Sequence, residues 1–378
     1  MRLPVIRGVA LSGAVALCAI GSLVLAGTAA ADEDAAGTGF TSSVFARGGT
    51  TLSAVDDITS MQGSIFVAWQ NGVGPKGEPA TNGNTQSTIA QYSSTGHLVN
   101  SWQLTGRCDG MTADSRNDRI IATINEDGNS SLAVIKPDAP AASQLALYTY
   151  SPNPPVHGGG TDAPHIYRGQ ILISASNPSD TTQPAVYRAT LSGTTATLTS
   201  VFTDDSSAIV ANTNDPMFGK SVTLGLTDPD SNFVVPGSSP RFGGDFVLDS
   251  QGDQQQVYVR DAGRPGQQMY VLNLSQSVDD TVWATSSSGT LYATDGHSTV
   301  YAIHGQFEVG TAFSAVTPGN ANNAPPTPGP NYLATLDLNT GVLTPVAGVA
   351  FPVKGLTFVG GGGDEGGDGG DGGRAGGE

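Results

Sequence analysis

Cysteine is nearly absent. Cys18 and Cys108 are the only two in 378 residues, and Cys18 sits in an apolar run close to the N-terminus. Once that run is removed a single thiol remains, so no internal disulfide can form. Stability must then come from burying a core, which a chain of this length can supply. Cys108 reads as a small buried apolar residue at the start of a strand unit. Lysine is scarce too, with only Lys76, Lys136, Lys220 and Lys354. Sixteen basic residues face thirty-three acidic ones, for a formal charge of −17, and no basic run occurs. That balance argues against nucleic acid and anionic lipid as partners. It suits solubility outside the cell, a cationic partner or a divalent metal. No paired cysteines or H-x-x-x-H spacing supports zinc, and no G-x-S-x-G elbow is present. Gly158–Gly160 lacks the following helix that a phosphate cradle needs, and nothing indicates an organic cofactor.

The two ends differ from the rest. Arg2 and Arg7 precede an apolar stretch from Val9 to Ala26, and small residues lead to Asp32. This reads as a signal peptide over 1–31, cut after Ala31, and implies a secreted protein with no membrane attachment after cleavage. The two leader arginines are part of the formal charge, so residues 32–378 carry −19. Residues 32–49 form a lead-in, and 50–359 one domain. Residues 360–378 are almost all Gly, Asp and Glu, a composition that cannot offset its ordering entropy and predicts a disordered tail.

Helical periodicity is nearly absent after residue 32. The chain is a series of four- to seven-residue runs bounded by Gly, Asn, Asp, Ser and Pro, the pattern of strands and turns. In the first unit the runs are Ile58–Met61, Ile65–Gln70, Thr88–Tyr92 and Leu98–Leu104. Units of four runs recur about every fifty residues, which predicts an all-β fold, a β-propeller of four-stranded blades. The fifth unit is expected to hold 281–285, 290–294, 299–304 and 311–316. The run 354–359 is expected to be an inner strand of a sixth blade, completed from both chain ends with Phe40–Ala46. Six blades account best for the runs; five or seven are also countable.

A spacing recurs with these units. An Asp opens the first strand, and Asn or Asp closes the second: Asp57 with Asn71, Asp109 with Asn125, Asp162 with Asn177, Asp230 with Asp249, and Asp280 with Asp295. Antiparallel pairing brings the start of one strand beside the end of the next, so these side chains are expected near the axis. Two readings stay open. Such side chains can satisfy turn N–H groups, or their oxygens can hold a hard cation, calcium above all.

The unit length, the strand pattern and phrases such as DGMTAD and TDGHSTVYAI resemble the superfamily of six-bladed propellers. It includes the senescence-marker/gluconolactonase proteins, the paraoxonase-type lactonases and the NHL-repeat proteins. WQNGVG, NEDGNSSL and LTDPDS are similar to phrases of secreted bacterial propeller proteins. In the lactonases a central divalent ion is held by Glu, Asn and Asp. The resemblance implies Asn125 and Asn177 as Asn ligands and Asp230 or Asp280 as the Asp. The chain departs from that pattern where the Glu should stand: it has Asp56 and Asp57.

Glu126, directly after Asn125, is a candidate general base, and His165 a candidate ligand or proton shuttle. Two functions follow as expectations. One is a monomeric extracellular platform that binds a glycan, a protein or another ligand, with a divalent cation in an acidic channel. The other is a metal-dependent hydrolase of a small neutral ester or lactone.

Overall fold

The computed structural model describes residues 39–154, 160–176, 178, 182–318 and 329–361. The expected leader over 1–31, Asn177 and nearly all of the tail lie outside them. Among the described residues no helix is long and apolar enough to cross a membrane.

Among the described residues twenty-six strands build the fold, a β-propeller. β1 is Thr41–Arg47. β2 (Val55–Met61), β3 (Ser64–Trp69), β4 (Gln86–Ser93) and β5 (Leu98–Thr105) pair in that order as unit 1. Unit 2 is β6 (Cys108–Asp114), β7 (Arg119–Ile124), β8 (Ser131–Ile135) and β9 (Leu145–Ser151). Unit 3 is β10 (Gly160–Tyr167), β11 (Gln170–Ser176), β12 (Pro184–Ser192) and β13 (Thr195–Thr203). β14 (Ser207–Val210) and β15 (Ser221–Thr223) come next. Unit 4 is β16 (Pro229–Val234), β17 (Phe246–Ser250), β18 (Gln255–Arg260) and β19 (Gln268–Asn273). Two-residue turns with both residues left-handed, Gln62-Gly63 and Arg168-Gly169, close the first hairpins of units 1 and 3, the turn that matches strand twist.

The last two units are interleaved. β20 (Val278–Trp283) is followed by the hairpin β21 (Gly289–Thr294) and β22 (Thr299–His304), then by β23 (Ala312–Val316), β24 (Tyr332–Leu336), β25 (Leu343–Pro345) and β26 (Leu356–Gly360). β20 pairs with β23, β24 and β25 follow outward, and β21 and β22 lie between β26 and β1. The sequence reading placed 290–304 in the fifth unit. Hydrogen bonding assigns it to the closing unit, with strands from both chain ends. Within the expected lead-in, β1 pairs with β22 from Thr41 to Arg47.

Parallel pairing covers the outer edges of units 2, 3 and 4. β9 joins β13, merging units 2 and 3 into one eight-stranded sheet, and β14 adds to β19. Such pairing removes open edges that would otherwise invite association.

The first strands of the units touch in a closed ring: β2, β6, β10, β16, β20, β26 and back to β2. Apolar residues of each unit alternate between its two neighbours. In β7, Ile120, Ala122 and Ile124 pack toward unit 1, and Ile121 packs toward unit 3. In β21, Leu291 and Ala293 face unit 5, and Tyr292 faces unit 1. Six apolar clusters result, one at each junction between consecutive units. The period-two pattern thus builds a ring of interfaces rather than one central core. The middle of the ring is left to polar residues.

Candidate functional site: an acidic cavity on the axis

Five of the first strands, β2, β6, β10, β16 and β20, carry a two-residue bulge near the start. In β2, Val55 pairs with Trp69 and Ile58 with Val67, so Asp56 and Asp57 share one opposing residue, Ala68. The same register holds in β6, β10, β16 and β20. Backbone hydrogen bonds of Lys354 and Gly355 with Thr294 continue it into β26. Aligned this way, the six starts read Val-Asp-Asp-Ile (55–58), Cys-Asp-Gly-Met (108–111), Thr-Asp-Ala-Pro (161–164), Pro-Asp-Ser-Asn (229–232), Val-Asp-Asp-Thr (278–281) and Val-Lys-Gly-Leu (353–356). The first bulged residue is therefore Asp56, Asp109, Asp162, Asp230, Asp279 and, in the sixth unit, Lys354.

The second bulged residue and the residue opposite it are complementary. Where the opposing residue is Ala68 or Ala315, the bulge carries Asp57 or Asp280. Asp57 accepts the N–H groups of Ile58 (2.6 Å) and Met111 (2.5 Å). Asp280 accepts those of Thr281 and Leu356, both at 2.7 Å. Where the bulge is Gly110, Ala163 or Gly355, a hydroxyl stands opposite and accepts its N–H: Thr123 (3.2 Å), Ser174 (3.0 Å) and Thr294 (2.8 Å). These bonds satisfy backbone groups that a bulge leaves unpaired.

The same side chains cross to the next unit. Asp57 reaches Met111, Thr123 reaches the Asp162 carbonyl, and Ser231 reaches the Asp279 carbonyl. Asp280 reaches Leu356, and Thr294 reaches the Asp56 carbonyl at 2.6 Å. Asn232 closes the sixth junction by donating to the Ala163 carbonyl at 2.6 Å. Hydrogen bonds on the axis therefore link all six junctions.

The first bulged residues point inward around a cavity of about 480 Å³, a size suited to a small organic ligand. Ten carboxyl groups line it: Asp56, Asp57, Asp109, Asp162 and Asp230, with Asp279, Asp280, Glu126, Asp127 and Asp228. Among the described residues Arg107 and Lys354 are the only cations in the lining, and no aromatic ring is present there. Lys354 Nζ is ion-paired with Asp56. Arg107 spans Asp109 (2.7 Å) and Glu126 (3.0 Å). Gln70 donates to Asp56 (2.5 Å) and Asp109 (2.8 Å), and Gln251 to Asp279 (2.7 Å).

So many acids in so little water cannot all ionise cheaply. Burial pushes Asp57 and Asp228 up to about 7, and Asp249, behind the ring, to about 7. It raises Asp109, Asp162, Asp230 and Asp280 well above the usual carboxylate range. The Asp162 carboxylate, on the adjacent first strand, raises Asp230 further. The neighbouring Asp56 and Asp279 carboxylates outweigh burial at Lys354 and hold its ammonium well above the usual range.

The candidate residues read from sequence separate into groups. Asp109, Asp162 and Asp230 belong to the ring. Asp57 and Asp280 line the cavity one residue out of step, with both oxygens already engaged by backbone N–H groups; the ring residues of those units are Asp56 and Asp279. Asn125 is left-handed and caps a turn, accepting the Arg107 N–H at 2.9 Å and donating to the Asn129 carbonyl. Asn71 and Asp295 likewise serve turns. Glu126 faces the cavity, tied to Arg107. His165 is half-buried against Phe233, with ring centroids 4.9 Å apart, and does not line the cavity; burial lowers it to about 4, so it is neutral. Asn177 lies outside the described residues. Calcium needs six to eight converging oxygens. The proposed ligands are instead spread among staples, turns and ion pairs, and no three His, Cys, Asp or Glu side chains form a metal cage among the described residues. As placed, the set does not fit that ion.

Asp279, Asp228, Arg107, Gln70, Gln251 and the ring position of Lys354 escaped the sequence reading. Aligning on the first Asp of each pair, rather than on the Asp nearest the apolar run, would have found Asp56 and Asp279.

No protein-family model matches the chain, and no curated protein matches its sequence. Among solved structures it is similar to the periplasmic gluconolactonase of Pseudomonas aeruginosa, at 13% identity and a TM-score of 0.43 over 80% of this chain and 88% of that one. It is also similar to a putative 6-phosphogluconolactonase of Bacteroides fragilis, at 13% identity and a TM-score of 0.41 over 82% and 98%. A third is hydrazine synthase of Kuenenia stuttgartiensis, at 13% identity and a TM-score of 0.38 over 77% and 69%.

Proposed function

We propose that this chain is a secreted six-bladed propeller that binds a small cationic ligand in its axial cavity. The observation that carries the reading is the ring of equivalent positions, five aspartates and one lysine, facing a cavity with ten carboxyls and two cations. A positive guest offsets the repulsion between carboxylates that the ring holds together. The expected leader over 1–31 supports export, and the charge of −19 on residues 32–378 supports attraction of cations. A thermal-shift panel of small cations, anions and neutral sugars tests this. Cations should raise the melting temperature by mass action on the folded state, and Asp230→Asn should remove most of the rise. Stabilisation by sugars or anions alone contradicts it.

A hydrolytic second reading rests on Asp162 and Asp230, which line the cavity from adjacent first strands. Two carboxyls that share a proton can act as acid and base on a water molecule. Turnover in an ester and lactone screen, abolished by Asp162→Asn and Asp230→Asn, would establish it.

A further inference from the structure

A second cavity lies apart from the axis. It holds about 530 Å³ and shares no lining residue with the axial cavity. Three segments frame it: residues 50–53, which connect β1 to β2, residues 82–84, ahead of β4, and β5, the outer strand of unit 1. Among the described residues no strand covers β5 as β13 covers β9, and Leu98, Ser101 and Gln103 face solvent. We infer that this cavity binds a neutral saccharide, and three observations carry the inference.

First, the lining excludes other ligand classes. None of its eleven residues is ionisable or aromatic, in a chain whose residues 32–378 carry −19. Without a carboxylate the cavity gives a cation nothing to pair with. Without Lys or Arg it gives a phosphate or sulfate no counter-charge, and without a ring it gives a flat aromatic ligand nothing to stack on. Hydroxyls and carboxamides remain, groups that both donate and accept hydrogen bonds. Sugar hydroxyls do the same, and the volume suits a small ligand.

Second, the carboxamides are fixed before any ligand arrives. Gln103 Oε1 accepts the Thr88 hydroxyl at 3.0 Å, Thr88 Oγ1 accepts Asn71 Nδ2 at 2.9 Å, and Asn71 Oδ1 accepts the Ser53 N–H at 3.2 Å. Ahead of β4, Asn82 Oδ1 accepts the Asn84 N–H at 2.9 Å. The amide nitrogens of Gln103 and Asn82 have no protein partner among the described residues. Two donor groups are thus held in place by their own oxygens, while the hydroxyls of Thr51 and Ser101 turn to suit. Side chains already ordered lose less freedom on binding.

Third, Leu98 lines the cavity and is 58% exposed. A pyranose carries C–H groups on its ring face and hydroxyls around its edge. Leu98 offers apolar surface to the face, and the carboxamides serve the edge.

The site is separate from the axial cavity, so its test does not depend on the cation-binding reading. Calorimetric titration of the full chain with maltotriose, cellotriose and triacetylchitotriose, each to ~10 mM, registers even a millimolar Kd. At least one should bind, with anionic trigalacturonate at least roughly tenfold weaker. Gln103→Met keeps the length of the side chain and removes the amide; it should weaken the saccharide roughly tenfold. Ser101→Ala removes a hydroxyl that bonds no other described residue; it should weaken binding without lowering the melting temperature. If Gln103→Met does not fold, Ser101→Ala and the ligand series decide alone. Binding by none of the three neutral sugars, trigalacturonate as tight as they are, or full binding retained in the variants overturns the inference. Displacement of the saccharide by propylammonium also overturns it, because that would place the sugar on the axis.

Discussion

Lys354 and Asp56 hold equivalent bulge positions in adjacent units, and their side chains are ion-paired. One substitution in a six-fold repeat thus turns a ring of like charges into a ring with a built-in counter-ion. Lys354 also directly precedes Gly355, whose backbone bonds to Thr294 tie β26 into the closing unit. The cavity wall and the closure of the ring therefore meet at the same two residues.

The staples give the first prediction. Asp57→Ala and Asp280→Ala each remove the acceptor of two N–H groups, one of them in the next unit. Each should cost about 1–3 kcal/mol. Urea unfolding checks this, with Asp127→Ala, a cavity carboxyl outside the bulges, as the control. Equal costs at all three positions would mean that the junction bonds contribute nothing.

Glycine at the second bulge position is set by the neighbouring unit. A Cβ on Gly355 would overlap the Asp56 carbonyl, and one on Gly110 would overlap Ala163. Gly355→Ala and Gly110→Ala should each lower the urea midpoint, by about 1–3 kcal/mol of overpacking. Gly225→Ala, where nothing lies within 4 Å, should be neutral or slightly stabilising.

Stability should fall as pH rises. Asp57, Asp228 and Asp249 have folded values of about 7 against an ordinary 3.8. Between those values the folded state binds more protons than the unfolded one, so unfolding free energy decreases with pH. Melting temperature should therefore be higher near pH ~5 than near pH ~8. A rise across that interval would mean that Asp57, Asp228 and Asp249 are ionised in the folded protein.

Asn125→Ala should cost about 1 kcal/mol, the usual loss of a turn or cap acceptor. The cost should be the same with calcium and with a chelator, because both ends of the amide already serve the backbone. A calcium-dependent difference in melting temperature would restore Asn125 as a ligand.

Much of the fold was legible because strand units are local. The runs of unit 1 and the alternation in Arg119–Ile124 follow from period-two patterning, and the closing role of Phe40–Ala46 and 354–359 follows from the count of runs. The exchange of β21 and β22 into the closing unit was not legible. A hairpin keeps its own pattern whichever neighbour it joins, and only the pairing of β21 with β26 decides. The site was half legible. Acidic openings recur visibly, but a bulge shifts which of two adjacent aspartates faces the axis, so Asp57 and Asp280 stood in for Asp56 and Asp279. The closing residues Asn71, Asn125 and Asp295 recur because each turn needs an acceptor.

Proton release on ligand binding tests the central claim most directly. If the ring carboxyls hold protons in the free protein and a cation replaces them, binding must expel protons. Calorimetric titration of propylammonium near neutral pH, repeated in buffers of different ionisation enthalpy, reads that number. The account predicts net release of protons, abolished together with binding in Asp230→Asn. Binding of propylammonium with no proton exchange, or full binding retained in Asp230→Asn, would contradict it.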